Sequence, residues 1–114
     1  MKREMKNMDE IIKKIIDWGN NKGINNPIKQ FQKLAEEMLE ANEAYFEHKH
    51  ARLKTKDEKF EHLIEELGDI GVVWLLLCNM LEVSPKFALY TAHEKNKERK
   101  GKTINGNFIK EEDL

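Results

Sequence analysis

Apolar residues recur every three or four positions in two segments of the first half of the chain, about residues 8–19 and 27–49. This spacing is typical of helices that bury one face. Asn7 precedes the first segment, and Asn26 and Pro27 precede and begin the second, in the order expected of an N-cap and a first helical residue. The second segment carries apolar residues along one helix face, which we expect to pack against the core: Phe31, Leu34, Met38, Ala41 and Tyr45.

The second half of the chain predicts two further helices. Thr55 and Glu58 have the spacing of a capping box and begin a helix over about residues 56–82. Its first half is amphipathic and its second half is apolar almost all round, so we expect that half at the centre of the fold. Ser84, followed by proline, begins a fourth helix over about residues 85–100.

Residues 101–114 form a short tail after the helices. An Asn105-Gly106 dipeptide between apolar residues predicts a hairpin there. A length of 114 residues fits one domain. We therefore expect an all-α fold with a four-helix core and a short C-terminal tail or hairpin, in a single domain over residues 1–114.

Composition narrows the function classes. The 20 basic and 21 acidic residues give a net charge of −1, which argues against a strongly basic nucleic-acid binder. The single cysteine, Cys78, cannot form an internal disulfide, which fits a reducing cytoplasm. No secretory signal is visible at the N-terminus, and the apolar run 70–81 is shorter than the ~20 residues of a membrane span. We expect a cytoplasmic protein that binds neither membranes nor nucleic acid.

Two acidic clusters are the main candidate chemistry. Each contains carboxylates three residues apart, Glu37 with Glu40 and Glu66 with Asp69, which project from one side of a helix. Such pairs occur about as often as this composition predicts, so a solvated charged face is an alternative. If the two helices pack antiparallel, however, the four carboxylates can meet. Partly buried oxygen ligands of this kind favour Mg²⁺ or Mn²⁺.

Several polar residues could complete such a site. Gln30 and Lys33 lie on the same edge of their helix as Glu37, and Lys95 and Arg99 share a face of the fourth helix, which suits a bound polyanion. Basic residues also favour helix C-termini because of the helix dipole. A di-iron site would need two Glu-x-x-His motifs, and only the segment 47–50 has that spacing. Carboxylates that hold Mg²⁺ and bases that hold phosphate make a nucleoside triphosphate a coherent ligand.

The order of these motifs resembles the MazG-like all-α nucleoside triphosphate pyrophosphohydrolases, specifically the small phage and bacterial type. The family pattern Glu-Glu-x-x-Glu, a spacer and Glu-x-x-Asp corresponds here to the segments 36–40 and 66–69, with 25 residues between them. The Asn26-Pro27 start of the second helix and the ending from Arg99 to Lys110 are also similar.

The resemblance implies Mg²⁺-dependent hydrolysis of a nucleoside or deoxynucleoside triphosphate to the monophosphate and pyrophosphate, as in nucleotide-pool house-cleaning. It also implies a homodimer or homotetramer with sites partly shared between subunits. Mn²⁺ could substitute for Mg²⁺. The implied roles are as follows: metal ligands Glu37, Glu40, Glu66 and Asp69; substrate-binding residues Lys95, Arg99, Gln30 and Lys33; and a general base among Glu36, Glu37 and Glu40.

Other functions fit the same sequence. Relatives with the same metal site hydrolyse phosphoribosyl-ATP, dUTP or dCTP, and they differ in the nucleoside pocket. A non-catalytic helical adaptor that oligomerises and offers its acidic face to a partner is a further alternative. Product analysis separates the enzymes, and the response of thermal stability to Mg²⁺ separates an enzyme from an adaptor.

Overall fold

The computed structural model describes residues 7–114, which fold mainly into four α-helices. These are α1 (Met8–Asn21), α2 (Pro27–Lys49), α3 (Lys56–Met80) and α4 (Pro85–Lys97). A hairpin of β1 (Gly101–Ile104) and β2 (Asn107–Lys110) follows, and single 3₁₀ turns lie at Leu53–Thr55 and Glu111–Asp113. The expected all-α fold with four helices and a short C-terminal tail is confirmed.

Three of the predicted helix starts have the expected side-chain caps. The side-chain oxygens of Asn7, Asn26 and Ser84 accept hydrogen bonds from the backbone N–H three residues later, at 3.0, 3.2 and 3.3 Å. Each cap satisfies an N–H that has no partner inside its helix. These local signals therefore place the starts of α1, α2 and α4.

Thr55 is the N-cap residue of α3, as predicted, but the side-chain hydrogen bond expected of a capping box is not made. Its hydroxyl donates to the carbonyl oxygen of Arg52 at 3.4 Å, within the 3₁₀ turn, and α3 begins at Lys56 without a side-chain cap. The end of α4 also differs from the prediction. The helix ends at Lys97, because the backbone N–H of Arg99 donates to the carbonyl of Asn96 and the chain turns toward the hairpin.

The chain divides into two compact units, Met1–Glu82 and Val83–Leu114. That the two form one domain over residues 1–114 stays a prediction. In the first unit α2 packs along α3 and α1 packs against α3. An ion pair between Glu47 of α2 and Lys59 of α3 fixes the antiparallel sense of the hairpin, since the end of α2 meets the beginning of α3.

The centre of the first unit is the second half of α3, as predicted. Its buried side chains, together with those of α2, form the apolar core: Ala41, Ala44, Val73, Leu75, Leu76, Leu77 and Cys78. Burial raises the pKa of the Cys78 thiol, so the thiol stays protonated and acts as a small apolar group. Gly19 of α1 is buried against Leu76, and a Cβ at this position would overlap the leucine side chain. Glycine thus allows α1 to approach α3 closely.

The face of α2 that was predicted to be buried is largely exposed. Phe31 and Met38 are each 55% exposed and Tyr45 is 47% exposed, whereas Ala41 is buried as expected. The helix instead turns the adjacent face toward α3, where the small side chains of Ala41 and Ala44 allow close approach. Two polar residues of that face, Gln30 and Glu37, are buried with them. The prediction failed because periodicity identifies an apolar face but does not show what covers it.

The second unit contains α4 and the antiparallel hairpin. The strands pair from Gly101 with Lys110 to Ile104 with Asn107. Asn105 and Gly106 both have positive φ, 51° and 82°, as a two-residue turn between right-twisted strands requires. The predicted hairpin is confirmed.

Within residues 7–114, no single helix is long and apolar enough to cross a membrane, and one bent pair, Leu53–Met80 with Pro85–Lys97, could do so by length and composition alone.

Candidate functional site

Antiparallel packing of α2 and α3 brings three of the four predicted metal ligands together. One carboxylate oxygen of each of Glu37, Glu40 and Glu66 lies within 4.8 Å of the others. Glu37 and Glu40 are one helical turn apart on α2, and Glu66 reaches them from α3. The site therefore depends on the tertiary packing of two helices that are separated by a polar connection in the sequence.

Burial distinguishes two of the three glutamates from a solvated acidic face, whereas Glu40 is exposed. The Glu37 side chain is only 7% exposed; its Oε1 lies 3.0 Å from Lys33 Nζ. The Glu66 side chain is 12% exposed, with its Oε1 3.5 Å from His62 Nε2. The Oε2 atoms of both glutamates are buried and have no hydrogen-bond partner among the described residues. Burying such oxygens without a partner costs free energy, and a hydrogen-bond donor or a bound cation would offset that cost.

The electrostatics of the cluster lead to the same conclusion. The pKa of Glu66 lies above its ordinary value of 4.5, first because the carboxyl is desolvated and then because Glu40, Asp69 and Glu37 add negative charge nearby. His62 partly opposes this effect. A hydrogen bond and charge attraction with Glu37 raise the pKa of Lys33. Among the described residues, one lysine and one histidine contact the three glutamates, which leaves the cluster short of positive charge unless a cation binds.

The donor set fits a divalent metal ion. The three glutamates offer carboxylate oxygens, which are the ligand type that Mg²⁺ and Mn²⁺ prefer. The di-iron alternative is not supported by the described residues. His50 Nδ1 lies 3.0 Å from the carbonyl oxygen of Phe46, and Glu47 pairs with Lys59 at 3.5 Å. The one Glu-x-x-His motif thus lies at the far end of α2 and is partnered there.

Asp69, the fourth predicted ligand, lies beside this group. It is exposed on α3 and lines a cavity of about 430 Å³ next to the cluster. Glu37 lines the same cavity, and so connects it with the three-glutamate group. The remaining wall is mainly apolar, and it is formed by α1, α2, α3 and the loop between α1 and α2: Trp18, Ile24, Lys29, Gln30, Lys33, Val72, Val73 and Leu76.

The other predicted site residues fall into two groups. Gln30 and Lys33 line this cavity, and Glu36 is exposed on α2 with its Oε2 3.8 Å from Lys33 Nζ. Lys95 and Arg99 belong to the second unit, Lys95 in the last turn of α4 and Arg99 just after it. Their roles toward a phosphate stay predictions.

Sequence reasoning missed Trp18 and Lys29 as cavity residues. A signal for Trp18 was present, since it lies three residues after Ile15 and seven after Ile11 on the apolar face of α1. Lys29 carries no comparable signal, because the sequence does not show that the first turn of α2 opens onto a cavity.

Comparison of the chain with models of protein families, with curated proteins and with solved structures finds no significant match. The similarity to the MazG-like pyrophosphohydrolases consequently rests on the motifs themselves.

Proposed function

We propose that this protein is a MazG-like pyrophosphohydrolase that uses Mg²⁺, or Mn²⁺ in its place, to hydrolyse a nucleoside or deoxynucleoside triphosphate to the monophosphate and pyrophosphate. One observation carries the proposal: two buried carboxylate oxygens, on Glu37 and Glu66, have no hydrogen-bond partner within residues 7–114 and lie in a three-glutamate cluster at the edge of a cavity. A solvated acidic face would leave its carboxylates in water. The carboxylates of Glu37 and Glu66 are instead mostly buried, at a position that a cation could reach.

In the proposed reaction Glu37, Glu40 and Glu66, with Asp69 beside them, would hold Mg²⁺. The chemistry supplied there would be polarisation of the substrate phosphate and a lowered pKa of a bound water. Lys33 orients Glu37 through its 3.0 Å contact with Oε1. The general base is one of Glu36, Glu37 and Glu40. The assignment of Lys95 and Arg99 to the phosphates rests on the resemblance alone. The buried thiol of Cys78 suits a reducing compartment such as the cytoplasm.

A hydrolysis screen tests the proposal. Purified protein is incubated with a panel of ribo- and deoxyribonucleoside triphosphates, with dUTP, dCTP and phosphoribosyl-ATP included, with and without Mg²⁺, and pyrophosphate release is measured. We expect Mg²⁺-dependent release that Glu66→Gln and Asp69→Asn abolish while helical content is unchanged. Glu65→Gln is the matched control, because Glu65 is exposed and adjacent to Glu66. Full turnover by either site variant would refute the assignment, and the absence of hydrolysis and of any Mg²⁺ response would favour the adaptor.

We also propose that a second copy of the chain covers the exposed apolar face of the α2–α3 hairpin. This face, the apolar stripe, consists of six side chains that are 47–56% exposed: Phe31, Met38, Tyr45, Phe60, Ile64 and Leu67. At about 100° per residue, Phe31 lies ~120° from Glu37 on α2, and Phe60 lies ~120° from Glu66 on α3 in the same rotational sense. Since the two helices are antiparallel, both halves of the stripe lie on one side of the hairpin.

The area of the stripe suits a homodimer. Half-exposed large side chains offer roughly 100 Å² each, so six of them give roughly 600 Å² per copy. Two copies together would bury about 1,200 Å², which is the lower end of the range for specific protein interfaces. A homotetramer would need a further surface. Sharing of the site between subunits, which the resemblance implies, rests on the same proposal.

A further inference from the structure

The connection between α2 and α3 is strongly basic. Residues 48–56 contain two histidines and no acidic residue, although the chain as a whole has a net charge of −1. This segment, the basic connection, carries three exposed bases and a half-buried one: Lys49, Arg52, Lys54 and the half-buried Lys56. None of the four forms an ion pair within residues 7–114. Their charge is therefore available to a partner outside the chain.

The acidic residues that flank the basic connection interact within the chain. Glu47, at the end of α2, pairs with Lys59 at 3.5 Å. Asp57 and Glu58 lie in the first turn of α3, where negative side chains interact favourably with the helix dipole. These acids therefore reduce the positive potential of the segment only in part.

An aliphatic side chain lies at the centre of this basic surface. Leu53 is 92% exposed, more than any other large apolar side chain of the described residues, and it lies between Arg52 and Lys54. Hydrogen bonds of the 3₁₀ turn fix its position, since the N–H and the hydroxyl of Thr55 both donate to the carbonyl oxygen of Arg52, at 3.0 and 3.4 Å. Phe46, in the last turn of α2, is also half-exposed. The turn therefore holds a leucine in solvent between two cations.

A lipid bilayer with anionic headgroups matches both properties of this surface. Its headgroups attract lysine and arginine, whose long side chains can extend along the interface, and its hydrocarbon accepts an aliphatic side chain. A fluid bilayer also needs no pocket shaped for Leu53. A single-stranded nucleic acid would neutralise the bases, but nucleobases stack on planar side chains, and the side chain at the centre of this surface is aliphatic. The combination of exposed bases and leucine therefore favours an anionic membrane.

We propose that the basic connection docks on anionic lipid membranes, with Leu53 inserted among the acyl chains and Arg52 and Lys54 at the headgroups. The proposal is independent of the proposed function, because no residue of the segment 48–56 lines the cavity or belongs to the three-glutamate cluster. The sequence-based expectation of no membrane binding considers net charge and the length of a spanning segment, and neither of these describes a local surface.

The charges of the basic connection set the expected preference for anionic lipid. Each lysine or arginine near an anionic surface strengthens binding roughly fivefold, so three exposed bases give roughly a hundredfold preference over neutral lipid. Burial of a leucine side chain adds roughly a further tenfold. The electrostatic attraction is screened over about 8 Å at physiological ionic strength and over about 3 Å at 1 M, so it should largely disappear in concentrated salt.

Co-sedimentation with vesicles tests the proposal. The whole protein is mixed with vesicles of phosphatidylcholine alone or with about one-third phosphatidylserine, in dilute and in concentrated salt. We expect binding to the anionic vesicles in dilute salt, and binding at least roughly tenfold weaker in concentrated salt or to phosphatidylcholine alone. The double variant Arg52→Gln/Lys54→Gln should bind the anionic vesicles roughly 25-fold more weakly than the parent protein. Leu53→Ser should bind them roughly tenfold more weakly.

Matched controls lie elsewhere on the chain. Lys100→Gln/Lys102→Gln removes two exposed bases outside the basic connection, and Leu39→Ser removes a leucine that is 70% exposed on α2. Both should bind the anionic vesicles like the parent protein. Circular dichroism spectra that match the parent exclude unfolding as the cause of any loss.

The proposal would be overturned by no binding to the anionic vesicles, by equal binding of Arg52→Gln/Lys54→Gln and the parent protein, or by equal losses in Leu53→Ser and Leu39→Ser. Binding of a labelled single-stranded oligonucleotide in the absence of vesicle binding would assign the basic connection to nucleic acid instead. Each of these outcomes leaves the test of the hydrolase unaffected, because the hydrolysis screen contains no membrane.

Discussion

Replacing Glu66 with glutamine should change the stability of the protein in opposite directions with and without metal. Without metal, the Glu66 carboxyl group has one buried oxygen with no hydrogen-bond partner among the described residues, and it lies among other carboxylates. Glutamine keeps the shape and removes the charge. We therefore expect Glu66→Gln to melt at a higher temperature than the parent protein at neutral pH in a chelating buffer.

Mg²⁺ should reverse this order. A ligand that binds only the folded state stabilises it by about 1.4 kcal/mol at a concentration ten times its Kd. For a domain of this size that energy corresponds to a rise in melting temperature of roughly 6 °C, taking about 4 °C per kcal/mol. The parent protein should show this rise with increasing Mg²⁺. Glu66→Gln should show little of it, because one of the three clustered carboxylates is gone.

The pH dependence provides a second check on the same residue. Because the folded-state pKa of Glu66 is raised above 4.5, the folded protein binds more protons than the unfolded chain at pH values between the two. The contribution of Glu66 to stability is therefore fully present below pH 4.5 and is lost as pH rises through the folded pKa. In metal-free buffer the parent and Glu66→Gln should melt alike below this window and diverge above it, whereas the effect of Mg²⁺ on the parent should grow with pH.

Thermal melts followed by circular dichroism, at several pH values with chelator or with increasing Mg²⁺, give all of these quantities. Glu65→Gln is the control for the loss of one negative charge on an exposed position of the same helix. If Glu66→Gln lowered the metal-free melting temperature, Glu66 would already be satisfied by the protein. If Glu66→Gln kept the full Mg²⁺ response, the cation would bind elsewhere. Either result would refute the reasoning about the cluster.

Further substitutions test the remaining features. Gly19→Ala should destabilise the fold by about 1–3 kcal/mol in thermal or urea unfolding, because the added methyl meets Leu76; unchanged stability would show that α1 can shift freely. Met38→Glu should shift the protein toward monomer in analytical ultracentrifugation, whereas Leu53→Glu, at a position 92% exposed and outside the apolar stripe, should not; equal effects would argue against the proposed interface. Lys33→Met should lower the metal-free melting temperature, because Glu37 loses its 3.0 Å partner. Mg²⁺ should then raise the melting temperature of this variant by more than that of the parent protein. No change in melting temperature would mean that Lys33 does not stabilise Glu37.

Features that depend on a few neighbouring residues could be predicted from the sequence alone. The caps at Asn7, Asn26 and Ser84 and the turn at Asn105-Gly106 depend on a few neighbouring residues, and all four are as predicted. Thr55 precedes α3 as predicted but makes no side-chain cap, because its hydroxyl bonds to the carbonyl of Arg52 in the 3₁₀ turn. Glu37, which the sequence placed on the same helix edge as Gln30 and Lys33, is buried, because its helix packs on the face of Ala41 and Ala44. Which face is covered depends on the tertiary structure, and local periodicity does not contain that information.

The placement of polar and apolar residues on α2 is inverted relative to an isolated amphipathic helix. Gln30 and Glu37 are buried, while Phe31, Met38 and Tyr45 are about half exposed. Helical packing alone would favour the reverse arrangement, since apolar burial contributes about 25 cal/mol per Å² and unpartnered buried polar groups cost free energy. The burial of Glu37 is accounted for if a cation binds there, and the exposure of the apolar side chains is accounted for if a second copy covers them. Glu37 and Met38 are adjacent in sequence, so one turn of α2 would then serve the ligand site with one side chain and the subunit interface with the next.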